Sequence, residues 1–182
     1  CGVIIEGFQF CDNSPSSVGA IKVSGGYNIF NQKIIAKENI FVIENGHNIF
    51  NGQVNIINNS SGKMFDIQGG TLVFNGIGGD INNRVISNTI SGGTLIINNY
   101  LEHYGSSSPT DADMFDLSGG TLEINNKIKY FQDSDDSGIV NMTGGYLKLN
   151  GAQLIHNDPS SANHCILLNN SSHSGSIFNN SF

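Results

Sequence analysis

Ser91-Gly92-Gly93-Thr94-Leu95-Ile96-Ile97-Asn98 is followed one period later by Ser118-Gly119-Gly120-Thr121-Leu122-Glu123-Ile124-Asn125. Each octet begins its second residue with a Gly-Gly, places a large apolar residue five positions after the first glycine, and ends on asparagine. The same arrangement recurs along the chain. The first glycine of each pair stands at Gly25, Gly69, Gly92, Gly119 and Gly144, at intervals of 44, 23, 27 and 25 residues. The long interval hides a degenerate copy at Asn45-Gly46, followed on schedule by Phe50 and Asn51. A last copy ends in Phe178 and Asn179.

On this frame one column reads Phe30, Phe50, Phe74, Ile97, Ile124, Leu149, Phe178. The next is asparagine throughout: Asn31, Asn51, Asn75, Asn98, Asn125, Asn150, Asn179. Two positions before the glycine slot, Val23, Ile43, Ile67, Ile90, Leu117 and Met142 form a wholly apolar column. Residues between these positions, such as Asp66, Thr89, Asp116 and Asn141, are mostly polar. Alternation with a period of two in short pieces is a strand signal. Short strands at a turn length of 20 to 29 residues imply a single-stranded parallel β-helix, an all-β solenoid of about seven coils spanning residues 1–182. Each strand then pairs with its equivalent in the next coil, about 4.8 Å away. Stacked asparagines at one bend exchange amide hydrogen bonds, because the side chain carries both donor and acceptor. Glycines occupy the other bend, where a Cβ has no room or φ is positive.

The variants Ser-Gly-Gly-Thr-Leu (Ser91 to Leu95, Ser118 to Leu122) and Thr-Gly-Gly-Tyr-Leu (Thr143 to Leu147), with the asparagine column, give the chain a likeness over nearly its whole length. It resembles the right-handed, pectate-lyase-like parallel β-helix proteins. That resemblance implies a right-handed coil, and uneven turn lengths agree with it better than with hexapeptide-based left-handed helices. The group includes polysaccharide lyases and hydrolases, phage tailspikes and fibres, and bacterial adhesins, so the likeness alone does not choose a function.

Composition narrows the choice. There are 15 carboxylates against 8 basic residues, and Arg84 is the single arginine. Arginine is the residue best suited to bidentate phosphate contacts, so nucleic acid and anionic membranes are poor partners. No apolar run approaches the ~20 residues of a membrane-spanning helix. Cys1, Cys11 and Cys165 show no metal-ligand spacing and no disulfide framework. Cys1 at the start of the sequence is read as an arbitrary boundary rather than a lipidated residue. Strand-like sequence at both ends (Val3, Ile4, Ile5; Ile177, Phe178) leads to the expectation of further coils or end-to-end stacking with another subunit.

The extra residues of the longer turns fall at one phase: 12–18, 99–113, 133–138 and 158–163. These segments hold all three prolines and most of the aspartates. Insertions at one phase project from one face of a solenoid, so the rod is expected to carry an acidic ridge as its contact face. Turn chemistry alone accounts for the residue types there. Within the ridge, Asp133, Asp135 and Asp136 match the first half of a calcium loop, and Asp111 of the neighbouring coil is expected to lie over Asp136. Hard cations need such clustered oxygens. Gly144, however, stands where the bidentate glutamate belongs, which favours a solvated acidic turn and no resident cofactor.

For an enzyme of this fold, Asp111, Asp113, Asp116, Asp135 and Asp136 are the candidate paired carboxylates. The Gly-His-Gly and Arg-x-Lys motifs that the resemblance would bring with a polygalacturonase are missing, since Gly46-His47 is followed by Asn48. A lyase acting on an anionic polysaccharide would meet an acidic face. The sequence therefore reads as a non-catalytic extracellular rod, an adhesin or filament segment at a cell surface with a glycan or surface partner. A phage tail-fibre or tailspike segment and a carbohydrate-active enzyme are the alternatives.

Overall fold

The computed structural model describes residues 2–5, 10–12, 21–36, 41–56, 63–80, 88–104, 113–131, 138–156, 164–168 and 175–179. All ordered elements among them are strands, and every strand pairing is parallel. The chain is a parallel β-solenoid with three faces. The first face precedes the glycine corner and includes Phe65–Ile67, Asn88–Ile90, Phe115–Leu117, Gly138–Met142 and His164–Leu168. The second follows that corner as Thr71–Phe74, Thr94–Ile97, Thr121–Ile124, Gly145–Leu149 and Gly175–Asn179. The third follows the asparagine corner as a seven-stranded sheet, from Phe10–Asp12 through Ile34–Ala36, Val54–Ile56, Gly78–Asp80, Leu101–Tyr104 and Lys127–Phe131 to Gln153–His156.

Four successive coils, between Phe65 and His156, carry three separate strands each, fewer than the seven expected. In the two coils before them the first and second faces are joined as single ten-residue strands, Ile21–Phe30 and Phe41–Phe50, which run through the glycine corner. These two strands merge both faces into one thirteen-stranded sheet.

The core follows from the period of two. Across the second face Phe30, Phe50, Phe74, Ile97, Ile124 and Leu149 are buried in one column, and Leu72, Leu95, Leu122 and Leu147 in another. Val23, Ile43, Ile67, Ile90, Leu117 and Met142 line the first face, as their spacing implies. Each such side chain contributes about 1.5–3 kcal/mol by leaving water. Where the columns are aromatic, the rings stack in register: Phe41 on Phe65 at 6.0 Å and Phe50 on Phe74 at 5.6 Å. Edge-to-face contacts of Phe41 with Phe50 and of Phe65 with Phe74 tie the two faces together. Such pairs add about 0.5–1.5 kcal/mol beyond area burial.

The glycine corner uses its two residues differently. The second glycine of each pair has positive φ, +64° at Gly70, +65° at Gly93 and +66° at Gly120. From Gly69 onward the first is excluded from bearing a side chain by the coil below: a Cβ on Gly92 would lie 2.4 Å from the carbonyl oxygen of Gln68. The degenerate corner keeps the second requirement, with Gly46 at φ +91°, and escapes the first. There the pairing of the two long strands shifts register on either side of Ser24↔Asn45, so an irregularity accommodates the Asn45 side chain.

The last coil departs from the expected frame. Gly175 pairs with Gly145, which sets Phe178 beside Lys148 and Asn179 beside Leu149. Asn179 is therefore one residue out of the asparagine column, contrary to the spacing argument. The sequence between the last glycine and Asn179 is a residue shorter than in the preceding coils. Alignment on the glycine consequently displaces the asparagine.

Candidate functional site

Position along the rod decides what each polar side chain can reach. At the second corner, the carboxamides of Asn31 to Asn150 form a continuous chain of hydrogen bonds. Asn51 Nδ2 donates to Asn31 Oδ1 at 2.7 Å, Asn75 to Asn51 at 2.8 Å, and Asn98 to Asn75 at 2.8 Å. Asn125 donates to Asn98 at 2.7 Å and Asn150 to Asn125 at 2.6 Å. Every donor points toward the preceding coil, so the amides are aligned head to tail and polarise one another. Backbone bonds such as Asn98 N to Phe74 O repeat beneath them.

A second, buried asparagine pair escaped the spacing argument. Asn28 and Asn48 occupy the inward column that holds leucine in later coils. Asn28 Nδ2 donates to Asn48 Oδ1 at 2.8 Å, and Asn48 Nδ2 to the Thr71 carbonyl at 3.1 Å. The available signal was parity: each stands two residues before a buried phenylalanine. Asn88 was missed too. Its Oδ1 accepts from the backbone nitrogens of Met64 and Phe65, both at 2.9 Å, while its Nδ2 donates to the Met114 carbonyl. An asparagine on that inward column replaces backbone partners that neighbouring coils do not supply there.

The outward carboxylates are held within this network. On the first face Thr89 Oγ1 donates to Asp66 at 2.9 Å and Gln68 Nε2 to the other oxygen of Asp66 at 3.0 Å. Asn141 Nδ2 approaches Asp116 at 3.4 Å. Asp66 and Asp116 are separated by the Thr89 rung, a spacing of about 10 Å. Glu123 accepts from Asn125 and Asn150 and lies 3.6 Å from Lys148 Nζ. Tyr100 donates to Glu102. Glu44 meets Lys22 Nζ at 2.7 Å and Ser24 Oγ at 2.6 Å. The hydrogen bond from Lys22, and then that from Ser24, hold the Glu44 carboxyl below its ordinary pKa.

The second face presents two outward columns in regular register. One outward column runs Tyr27, His47, Thr71, Thr94, Thr121, Tyr146 in register, and its neighbour runs Ile29, Ile49, Val73, Ile96, Glu123, Lys148. Tyr27 and Tyr146 are each half exposed, and the Tyr27 ring stacks on His47 at 5.2 Å. The face thus passes from aromatic, through threonine, to a charged pair.

Asp111, Asp133, Asp135 and Asp136, the calcium candidates, lie outside the described residues, as does most of the acidic ridge. Asp113 is described beside Met114, whose nitrogen donates to the Gly138 carbonyl, and Asp116 stands two strand positions further, on the first face. Among the described residues no group of three or more His, Cys, Asp or Glu side chains is placed to hold a metal ion. No helix there is long and apolar enough to cross a membrane. Comparison with protein-family models, curated proteins and solved structures finds no match to this chain.

Proposed function

We propose that the chain is a non-catalytic extracellular rod, an adhesin or filament segment of the right-handed, pectate-lyase-like kind, presenting its outer surface to a glycan or surface partner. One observation carries this reading. Asp66, Asp116, Glu123 and Glu44 are engaged by hydroxyl, amide or lysine groups of their own or an adjacent coil, an arrangement that braces the rod. Catalysis by a carboxylate pair asks instead for acid and base groups that converge on a substrate atom. The regular second face and the acidic loop ridge are the two candidate contact surfaces.

A glycan array read together with a reducing-end assay tests this. The expected result is retention of one or more glycans with no new reducing ends. Release of reducing ends would replace the reading with that of a carbohydrate-active enzyme. Mass measurement in solution addresses the phage-fibre alternative, for which a trimer of identical chains is the expected species.

A further inference from the structure

We propose that Asn45 is a site of spontaneous backbone modification, succinimide formation followed by hydrolysis to aspartate and isoaspartate, and that the stacked ladder protects the other Asn-Gly pairs from it. The chemistry needs only water. The backbone nitrogen of the following residue gives up its proton and attacks the side-chain Cγ, the new C–N bond closes a five-membered imide, and Nδ2 takes up a proton and leaves as ammonia. Water then opens the imide at either carbonyl, giving aspartate or isoaspartate. Glycine in the following position leaves that nitrogen unshielded, which makes Asn-Gly the most susceptible pair and asparagine a thermolabile residue.

The chain contains four such pairs: Asn45-Gly46, Asn51-Gly52, Asn75-Gly76 and Asn150-Gly151. Three of these asparagines belong to the ladder. The Asn51 and Asn75 carboxamides are gripped at both ends, Nδ2 by the coil below and Oδ1 by the coil above. Turning Cγ toward the Gly52 or Gly76 nitrogen would break both bonds. Asn150 is held through Nδ2 by Asn125 and Glu123. Asn45 is exposed, and its carboxamide oxygen accepts a 2.8 Å bond from the very nitrogen that would attack, Gly46 N. Reactant proximity of this kind lowers the entropic part of the barrier.

Two other asparagines share that local bond and serve as internal controls. Asn99 Oδ1 accepts from Tyr100 N and Asn126 Oδ1 from Lys127 N, both at 2.8 Å, yet neither is followed by glycine. Asn45 alone among the described asparagines combines the geometry with the glycine. Its modification has a structural consequence. An isoaspartate inserts a carbon into the backbone at a corner where the next coil lies close: a Cβ on Gly70 would already be 2.5 Å from the Asn45 carbonyl carbon. The added atom would therefore loosen the contact between the coil of Phe41–Phe50 and its successor.

Incubation of the folded protein in mildly alkaline buffer, with timed peptide mapping by mass spectrometry and enzymatic isoaspartate labelling, tests the proposal. Asn45 is expected to convert at least about tenfold faster than Asn51 and Asn75, with Asn150 between them, and Asn99 and Asn126 unchanged. In denaturant the four Asn-Gly pairs should converge on similar rates. Asn45→Gly, which restores the Gly-Gly of the other corners, should abolish the fast isoaspartate signal without changing the ladder peptides. Equal rates at Asn45 and Asn51 in the folded protein would overturn the proposal, as would faster conversion within the ladder.

Discussion

The two corners of the solenoid solve one problem in opposite ways. At both, coils stack directly, and at both a single residue type repeats along the rod. The glycine corner works by leaving the side chain out: Gly92 has no space for a Cβ, and Gly93 has a backbone that L side chains rarely adopt. The asparagine corner works through the side chain, whose amide links each coil to the next. One column is enforced by exclusion and the other by bonding. Exclusion should be the stricter of the two, because a clash with backbone cannot be relieved by solvent, whereas an exposed amide that loses its partner can turn to water.

The largest effect is therefore expected at glycine. Gly93→Ala combines strained φ with a Cβ 2.5 Å from the Gly70 carbonyl oxygen, and should cost about 3 kcal/mol or more in urea denaturation. A cost near that of a surface substitution would remove the exclusion argument.

Asn98→Asp should follow, at about 2–3 kcal/mol at neutral pH, since a carboxylate oxygen would face Asn75 Oδ1, acceptor against acceptor. The ladder raises the folded pKa of that acid above its unfolded value. The penalty is thus absent below the unfolded pKa, grows as pH rises between the two, and is full above the folded one. Below the carboxylate range, the protonated acid donates as the amide did. Denaturation curves across acidic to neutral pH would show the loss appearing with rising pH, and a pH-independent loss would contradict the ladder's polarity.

Asn98→Ala removes both ladder bonds but leaves partners that reach water, so about 1–2 kcal/mol is expected. The smallest effect belongs to Glu44→Gln. The folded pKa of Glu44 is lowered by Lys22 and Ser24, so its contribution is present above the unfolded value and lost as pH falls through the folded one. The substitution should therefore lower stability only slightly at neutral pH, leave it unchanged below the folded pKa of Glu44, and so flatten the acid limb of the pH profile.

Much of the solenoid was legible because repetition makes each position visible several times. The inward columns, the alternation and the asparagine ladder from Asn31 to Asn150 all follow from a frame that any one coil would state only weakly. Features that belong to a single coil were not legible in this way. Asn28 and Asn48 interrupt a leucine column, and nothing in their own coils marks them as paired with each other until the register is known. Asn88 answers a local shortage of backbone partners, which has no spacing signature. The final coil shows a different limit. Its glycine and its asparagine call for registers one residue apart, and spacing alone favoured the longer-running column. The calcium candidates Asp111, Asp133, Asp135 and Asp136 rest on sequence, and so does the acidic ridge as a contact surface.

That conflict in the last coil offers the most direct test of which corner governs stacking. With the native cysteines replaced by serine, Lys148→Cys can be paired with Phe178→Cys or with Ile177→Cys. Adjacent parallel strands bring facing Cα atoms to about 4.8 Å, within disulfide range. Register set by the glycine corner places Phe178 beside Lys148 and predicts rapid oxidation of the first pair over the second. Preferential cross-linking of Lys148→Cys to Ile177→Cys would place Asn179 beside Asn150, and would show that the bonded column overrides the excluded one.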